Sequence, residues 1–447
     1  MRALIIDGYV DEPACLGVPP YLAPYPRYIA GAMVEQGIRQ EDIFYRTIDQ
    51  LRINNMQLQF DLTVIVAGMT VPGKYLKGTP ITRKEISELS HLDGTKIIGG
   101  PIRLGFGEEG GSSARELAVS GMAFAKKDIE AFVHDALGDM EDLENPDYPH
   151  VMCELETYRG CPRHSHCSFC TEPFYGKPDY RKIPDVVKEV EALYQYGARY
   201  FRLGRQPDLF MYRARKGVPD PEAIEGLYKG IRMAAPELKV LHMDNANPVT
   251  LARFPEESRR IAEIIVKYHT SGDVAAFGME SADPEVIRAN DLKASPEEVF
   301  EAIKLINDIG SARLEGGLPE LLPGINFVHG LKGETKKTFE MNFNFMKRVL
   351  ESGLMVRRVN IRQVMTFAGM ELNRFYDIMV TDHGHRSITG IPVPVDINRA
   401  PLKIIELIPG VGKKQAGKIV MVRPYKDKED AARRTGIKRE LLDYIGL

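Results

Sequence analysis

At 447 residues, with 44% hydrophobic and 27% charged residues, the chain is too long for one ordinary core and has none of the composition of a disordered protein. A net charge of -3 gives no general attraction to polyanions, so any nucleic-acid contact has to be local. The chain shows no secretory start and no run of about 18 apolar residues. Its five cysteines, four of them between Cys153 and Cys170, are too clustered for a disulfide framework. The expectation is a cytoplasmic protein without a membrane partner.

In chain order, ALIIDG from Ala3 to Gly8 reads as a buried strand, Tyr28 to Glu35 has helical periodicity, and apolar runs follow at Leu62–Gly68 and Lys96–Gly100. Alternating strands and helices predict a doubly wound, Rossmann-like domain over residues 1–140, closed by a helix from Ala125 to Leu137. Acidic, proline-containing residues from Gly138 to Pro149 read as a linker. A second alternating series has strands at Met152–Thr157, Tyr200–Gly204, Val240–Asp244, Val274–Met279, Gly324–His329 and Arg358–Gln363. Helices such as Pro184–Tyr196, Glu256–Lys267, Pro296–Ile309 and Lys336–Val349 separate them. Six βα units predict a partial (βα)6 barrel over 146–370, with its site at the strands' C-terminal ends. A connecting segment, 371–400, leads to a small all-α module at 401–447. That module holds eleven Lys/Arg against six Asp/Glu, a local charge of +5 that leaves -8 for the remainder.

Just after the first barrel strand, YRGCPRHSHCSFCT places Cys161, Cys167 and Cys170 in a C-x5-C-x2-C loop. Three thiolates can hold three irons of a cubane and leave the fourth open. The alternative is a structural zinc knot with His164, His166 or Cys153 as the fourth ligand. Cys153 within its strand, and Cys15, read as small buried hydrophobes. The loop resembles that of the radical S-adenosylmethionine superfamily, with two residues more than the commonest C-x3-C-x2-C spacing. The resemblance implies a [4Fe–4S] cluster, S-adenosylmethionine on the open iron, an external electron donor, and a 5′-deoxyadenosyl radical whose orientation is the protein's task.

The same resemblance implies further cofactor contacts. Phe169 matches the aromatic that packs on adenine. RLGRQPDLF is similar to the segment touching the methionine moiety, with Gly204 and Gln206 at the matching positions and either Gln206 or Asp208 standing in for a missing Gly-Gly-Glu. FGMESADPEVIRANDLKASPEEV resembles the pattern whose Glu280 and Ser281 reach the ribose and backbone. Asp244, Asn245 and Asn247 could line the cavity, although turn or capping roles are equally open. Glu334 and Thr335 read as a helix start. His242 and His329, beside strand ends, could carry protons or be satisfied structural histidines.

The domain order resembles cobalamin-binding radical S-adenosylmethionine proteins, which implies methyl transfer. No Asp-x-His-x-x-Gly signature is present, so cobalamin binding and a degenerate domain both stay open. LKIIELIPGVGKKQAGKIV resembles a helix-hairpin-helix module, with EDAARRTGIKRELLDYI as a weaker copy. Gly410 and Gly412 would let amides approach a phosphate, while Lys413, Lys414 and Lys418 add charge. The reading is a radical enzyme modifying a macromolecule, RNA before protein. A nucleic-acid-binding protein with a metal knot is the non-enzymatic alternative.

Overall fold

The computed structural model describes residues 1–10, 21–22, 24–54, 59–68, 79–104, 123–124, 152–313, 318–364, 395–398, 402–405, 411–438, 442 and 445–446. The chain forms two compact units, Met1–His385 and Arg386–Leu447. Cys15, the helix expected at Ala125–Leu137, the acidic linker, Gly410 and most of 371–400 lie outside the described residues.

The first unit opens with β1 (Ala3–Asp7), whose five residues are all buried. A two-residue strand, β2 (Tyr21–Leu22), and helix α1 (Tyr25–Glu35) follow. Next come β3 (Ile43–Thr47), α2 (Ile48–Asn54), β4 (Leu62–Val66), α3 (Arg83–Leu89), β5 (Thr95–Gly99) and β6 (Ala123–Phe124). The sheet order is β3-β1-β4-β5-β6, parallel throughout. Ala3 and Ile5 pack with Tyr25, Tyr28 and Met33 of α1, whereas Leu4 and Ile6 pack with Ile81 and Ile86 at α3. Helices on both faces are what a parallel strand buried along its whole length requires. The reversal of strand order between β1 and β4 is a topological switch point, where ligands of such sheets bind beyond the strand ends.

The barrel strands are β7 (Met152–Glu156), β10 (Tyr200–Gly204), β11 (Val240–Met243) continued by β12 (Asn245–Ala246), β13 (Asp273–Glu280), β14 (Leu321–His329) and β15 (Arg358–Gln363). A small antiparallel pair, β8 (Tyr158–Arg159) with β9 (Asp179–Tyr180), stands beside β7. All six predicted barrel strands are present and parallel. Helices α4 (Ile183–Gln195), α5 (Pro221–Ala234), α6 (Pro248–Arg253), α7 (Pro255–Tyr268), α8 (Pro284–Ala289), α9 (Pro296–Gly310) and α10 (Lys336–Glu351) connect them. Their starts are chemically marked. Asp220, Asn247, Asp283 and Ser295 each accept a backbone N–H as N-cap directly before a proline. Thr335 caps α10, whereas the Glu334 carboxylate accepts the Gly330 N–H at 2.8 Å and so closes the turn that follows the preceding strand.

Two features tie the doubly wound layer to the barrel. Strand β2 pairs with β7 as an edge strand of the barrel sheet. Beside it, Arg27 and Arg181 both grip Glu189 of α4 at 2.6 Å, and the Tyr28 hydroxyl accepts from Arg181 at 2.9 Å and donates to Glu189 at 3.2 Å. All four residues are at most 2% exposed.

In the second unit, strands Val395–Asp396 and Ile445–Gly446 pair, and helices Leu402–Ile405, Lys413–Met421 and Lys428–Thr435 enclose Ile397, Ile405, Val411, Ala416, Ile419, Tyr425, Ala431 and Ile437. Gly436, in the left-handed region, ends the last helix. No helix among the described residues is long and apolar enough to cross a membrane.

Candidate active site

The cysteine loop springs from the C-terminal end of β7. Its neck is pinched where Gly160, at φ 82°, lies so close to the carbonyls of Gly176 and Lys177 that a Cβ would stand 2.7–2.8 Å from them. The Gly160 N–H donates to the Glu172 carboxylate at 3.1 Å, and the Cys170 N–H to the Cys167 carbonyl at 3.0 Å. Ser168 anchors the tip to Asn290, backbone to backbone and side chain to side chain, both at 2.9 Å. Asn290 also holds the Lys332 backbone, so one buried amide fixes the loop to the ends of α8 and β14.

Cys161, Cys167 and Cys170 are free and half-buried. Burial pushes all three thiols up, Cys170 to about 12, against the opposing pull of the Lys293 ammonium. Loading a metal there therefore releases protons. Among the described residues no three His, Cys, Asp or Glu side chains are arranged around a single ion. Three thiolates on one loop match the three irons that a cubane binds through protein, one thiolate to each. The donor set fits the cluster.

Phe169 and Cys167 pack against Val286, Leu292, Val328, Leu331 and Val364, an apolar wall beside the loop. Facing it, Glu280 closes β13 at φ 63° and is 8% exposed, with a carboxylate that makes no hydrogen bond among the described residues. Burial raises its pKa to about 7, with Lys293 and Arg362 pulling the other way. Gly278 makes room for this pair, since a Cβ there would lie 2.4 Å from Glu280 Oε1 and 2.6 Å from Lys293 Nζ. Lys293, absent from the sequence-derived contacts, sits within electrostatic reach of all three cysteines. Its only sequence signal is membership in the same FGMESADPEVIRANDLK stretch.

Other expected contacts are more occupied. Gln206 is buried, accepting from Thr157 at 3.0 Å and donating to the Leu203 carbonyl at 3.0 Å, so its side chain ties the ends of β7 and β10. The Asn245 amide donates to the Gln206 carbonyl at 3.1 Å. Ser281 is fully buried, and its hydroxyl accepts the Asp283 N–H at 3.1 Å. Asp208 accepts from Phe210, Asn247 and Thr250, and burial lifts its pKa to about 6. Asn247 is the α6 cap. Gly204 is required by close approach, because a Cβ would meet Glu154 Oε1 at 2.2 Å. His242 lies half-buried on β11. His329 stacks on Phe339 with the Glu334 carboxylate 3.6 Å away. A further buried set, His269 with Asp273 at 3.0 Å and Glu320 at 3.3 Å, stands at the strands' N-terminal ends, where barrel residues serve stability.

The doubly wound layer reaches this mouth through α1. Its first residue, Tyr25, is buried with the Arg159 guanidinium 5.6 Å and the Arg205 guanidinium 4.7 Å from its ring centre. Arg159 is two residues before Cys161, and Arg205 follows Gly204. Tyr25 thus brings the start of α1 to the residues that flank the cysteine loop and the end of β10.

A sequence model of the radical SAM superfamily matches residues 155–346. An uncharacterised protein of Methanocaldococcus jannaschii is 44% identical over 83% of this chain and 75% of its own length. One of Archaeoglobus fulgidus is 39% identical over 95% and 96%. Among solved structures, the radical S-adenosylmethionine methyltransferase TsrM of Kitasatospora setae, with cobalamin and a [4Fe–4S] cluster bound, is similar at a TM-score of 0.57. The match has 13% identity and covers 83% of this chain and 74% of that one, a likeness of fold.

Proposed function

Because the chain belongs to the radical SAM superfamily, we propose that it cleaves S-adenosylmethionine reductively at a [4Fe–4S] cluster held by Cys161, Cys167 and Cys170, and methylates RNA. The observation that carries the radical step is three thiols on one pinned loop at the barrel mouth, facing a buried carboxylate and an ammonium that make no hydrogen bond among the described residues. When bound, the cluster supplies the electron that breaks a carbon–sulfur bond of the sulfonium. The chain's part is placement. Lys293 meets the cofactor's carboxylate, Glu280 accepts from its ribose hydroxyls, and Phe169 backs the adenine.

Methyl transfer rests on cobalamin at the switch point between β1 and β4. The strand order supports this, as does the fold shared with TsrM, whose own structure contains cobalamin. RNA is favoured by the +5 charge of residues 401–447, where Lys413 and Lys414 stand exposed at the start of a helix. Anaerobic reconstitution followed by 5′-deoxyadenosine analysis tests the radical step. Broad absorbance near about 400 nm and reductant-dependent cleavage are expected, both lost in Cys161→Ala. Tightly bound zinc with neither property would overturn it. Labelled methyl transfer to total RNA, compared with protein, tests the substrate.

A further inference from the structure

The barrel's inner wall beneath the cysteine loop carries groups that the cofactor does not use. Leu155, Phe201, Leu241, Phe277 and Ile325 turn outward into the core under the helices, so alternate residues face the lumen. Two inner pairs bond to one another, Arg202 with Glu154 at 2.7 Å and Asn360 with Asn326 at 2.8 Å. Arg358 and His242 differ. In each, one buried nitrogen, the Arg358 Nε and the His242 Nε2, has no hydrogen-bond partner among the described residues, while the side chain as a whole is half-buried.

The wall is shaped around Arg358. It lies over Gly324 of β14, where a Cβ would stand 3.1 Å from its Cγ, 3.3 Å from its Nε and 2.8 Å from Val274 Cγ1. Bare backbone at Gly324 lets the side chain lie across the sheet next to Val274. On the far side of Val274, β11 is fastened by the Met243 N–H donating to Asp273 at 2.9 Å, which brings His242 to the same stretch of wall. Arg358 pairs in register with Gly324, and Arg362 with Val328, so the guanidinium sits two inner layers below the apolar wall that holds Phe169. A guanidinium donates only, and a half-buried one with no carboxylate paired to it among the described residues matches an oxyanion.

We propose that the lumen binds the substrate through a carboxylate or phosphate group held by Arg358, with His242 as a second donor. This deepens the radical reading and rests on it for the identity of the ligand as substrate, while the binding itself is separable. Titration calorimetry of cluster-loaded protein with malonate and with inorganic phosphate measures it, the tighter probe identifying the source. Saturable binding of one anion is expected, weakened at least about tenfold by Arg358→Met and unchanged by Arg213→Met, which removes an exposed cation. If Arg358→Met does not load a cluster, Arg358→Lys and His242→Phe decide, each expected to weaken binding. No saturable binding of either anion, equal weakening by Arg213→Met, or wild-type affinity in the lumen variants would overturn the proposal. 5′-Deoxyadenosine formation in the same preparation separates the two readings. Cleavage without anion binding sinks only this inference, and anion binding without cleavage sinks only the radical step.

Discussion

Glu280 concentrates the unusual physics of the site in one residue. It adopts a left-handed backbone conformation that non-glycine residues reach only under constraint, and it buries a carboxyl that makes no hydrogen bond among the described residues. Its folded pKa, raised by burial to about 7, exceeds the ordinary 4.5. Between those values the folded state holds the extra proton, so the contribution to stability is full below pH 4.5 and declines as pH rises through 7. Glu280→Gln should remove that decline, leaving the variant more stable than wild type at pH 8 by up to about 3 kcal/mol. Thermal denaturation of cluster-free protein from pH 5 to 8 checks this, and parallel pH profiles would refute it. The FGMES stretch was legible because its residue types and position match a known pattern, but the sequence does not show which atoms are spent on the fold. Gln206 and Ser281 carry their polar atoms inward to strand ends and a turn. Lys293, thirteen residues beyond Glu280, becomes its neighbour only because Gly278 removes a side chain between them.

At the level of elements, the joint between the doubly wound layer and the barrel is built from charge rather than apolar area. Glu189 bridges Arg27 and Arg181, and those neighbours hold its pKa below the usual carboxylate value despite burial. Removing one partner from such a set leaves uncompensated buried charge. Glu189→Ala should therefore cost about 3–5 kcal/mol, and calorimetry should show one transition dividing as the α1 side loosens from the barrel. A single transition at the wild-type temperature would contradict this. None of these contacts is visible in sequence, since Arg27 and Glu189 are separated by 162 residues. The six barrel strands were legible because apolar runs and N-cap–proline starts alternate regularly. Strand β3, IFYRT, was not, being a half-buried edge strand with mixed polarity, and the two residues of β2 carry no periodicity at all.

Across the whole molecule, charge is partitioned, -8 over the first 400 residues and +5 over the last 47. A polyanion approaching at physiological ionic strength meets repulsion from most of the chain and attraction from one end, with a screening length of about 8 Å confining that attraction to close range. Contacts of this kind release counterions, so each phosphate neutralised contributes about 0.7 to the slope of log affinity against log salt on a single strand. The exposed Lys413 and Lys414 begin the helix Lys413–Met421, where backbone amides and the helix dipole already favour an anion. Replacing both by Ala should weaken RNA binding several-fold at low salt and flatten that slope by about 1 to 1.5. It should do so equally for unrelated sequences, because phosphates carry no base identity. Filter binding over a salt series gives both numbers at once. A loss of affinity with an unchanged slope would mean that these lysines act through the module's folding, and no loss at all would overturn the proposal that this helix meets RNA.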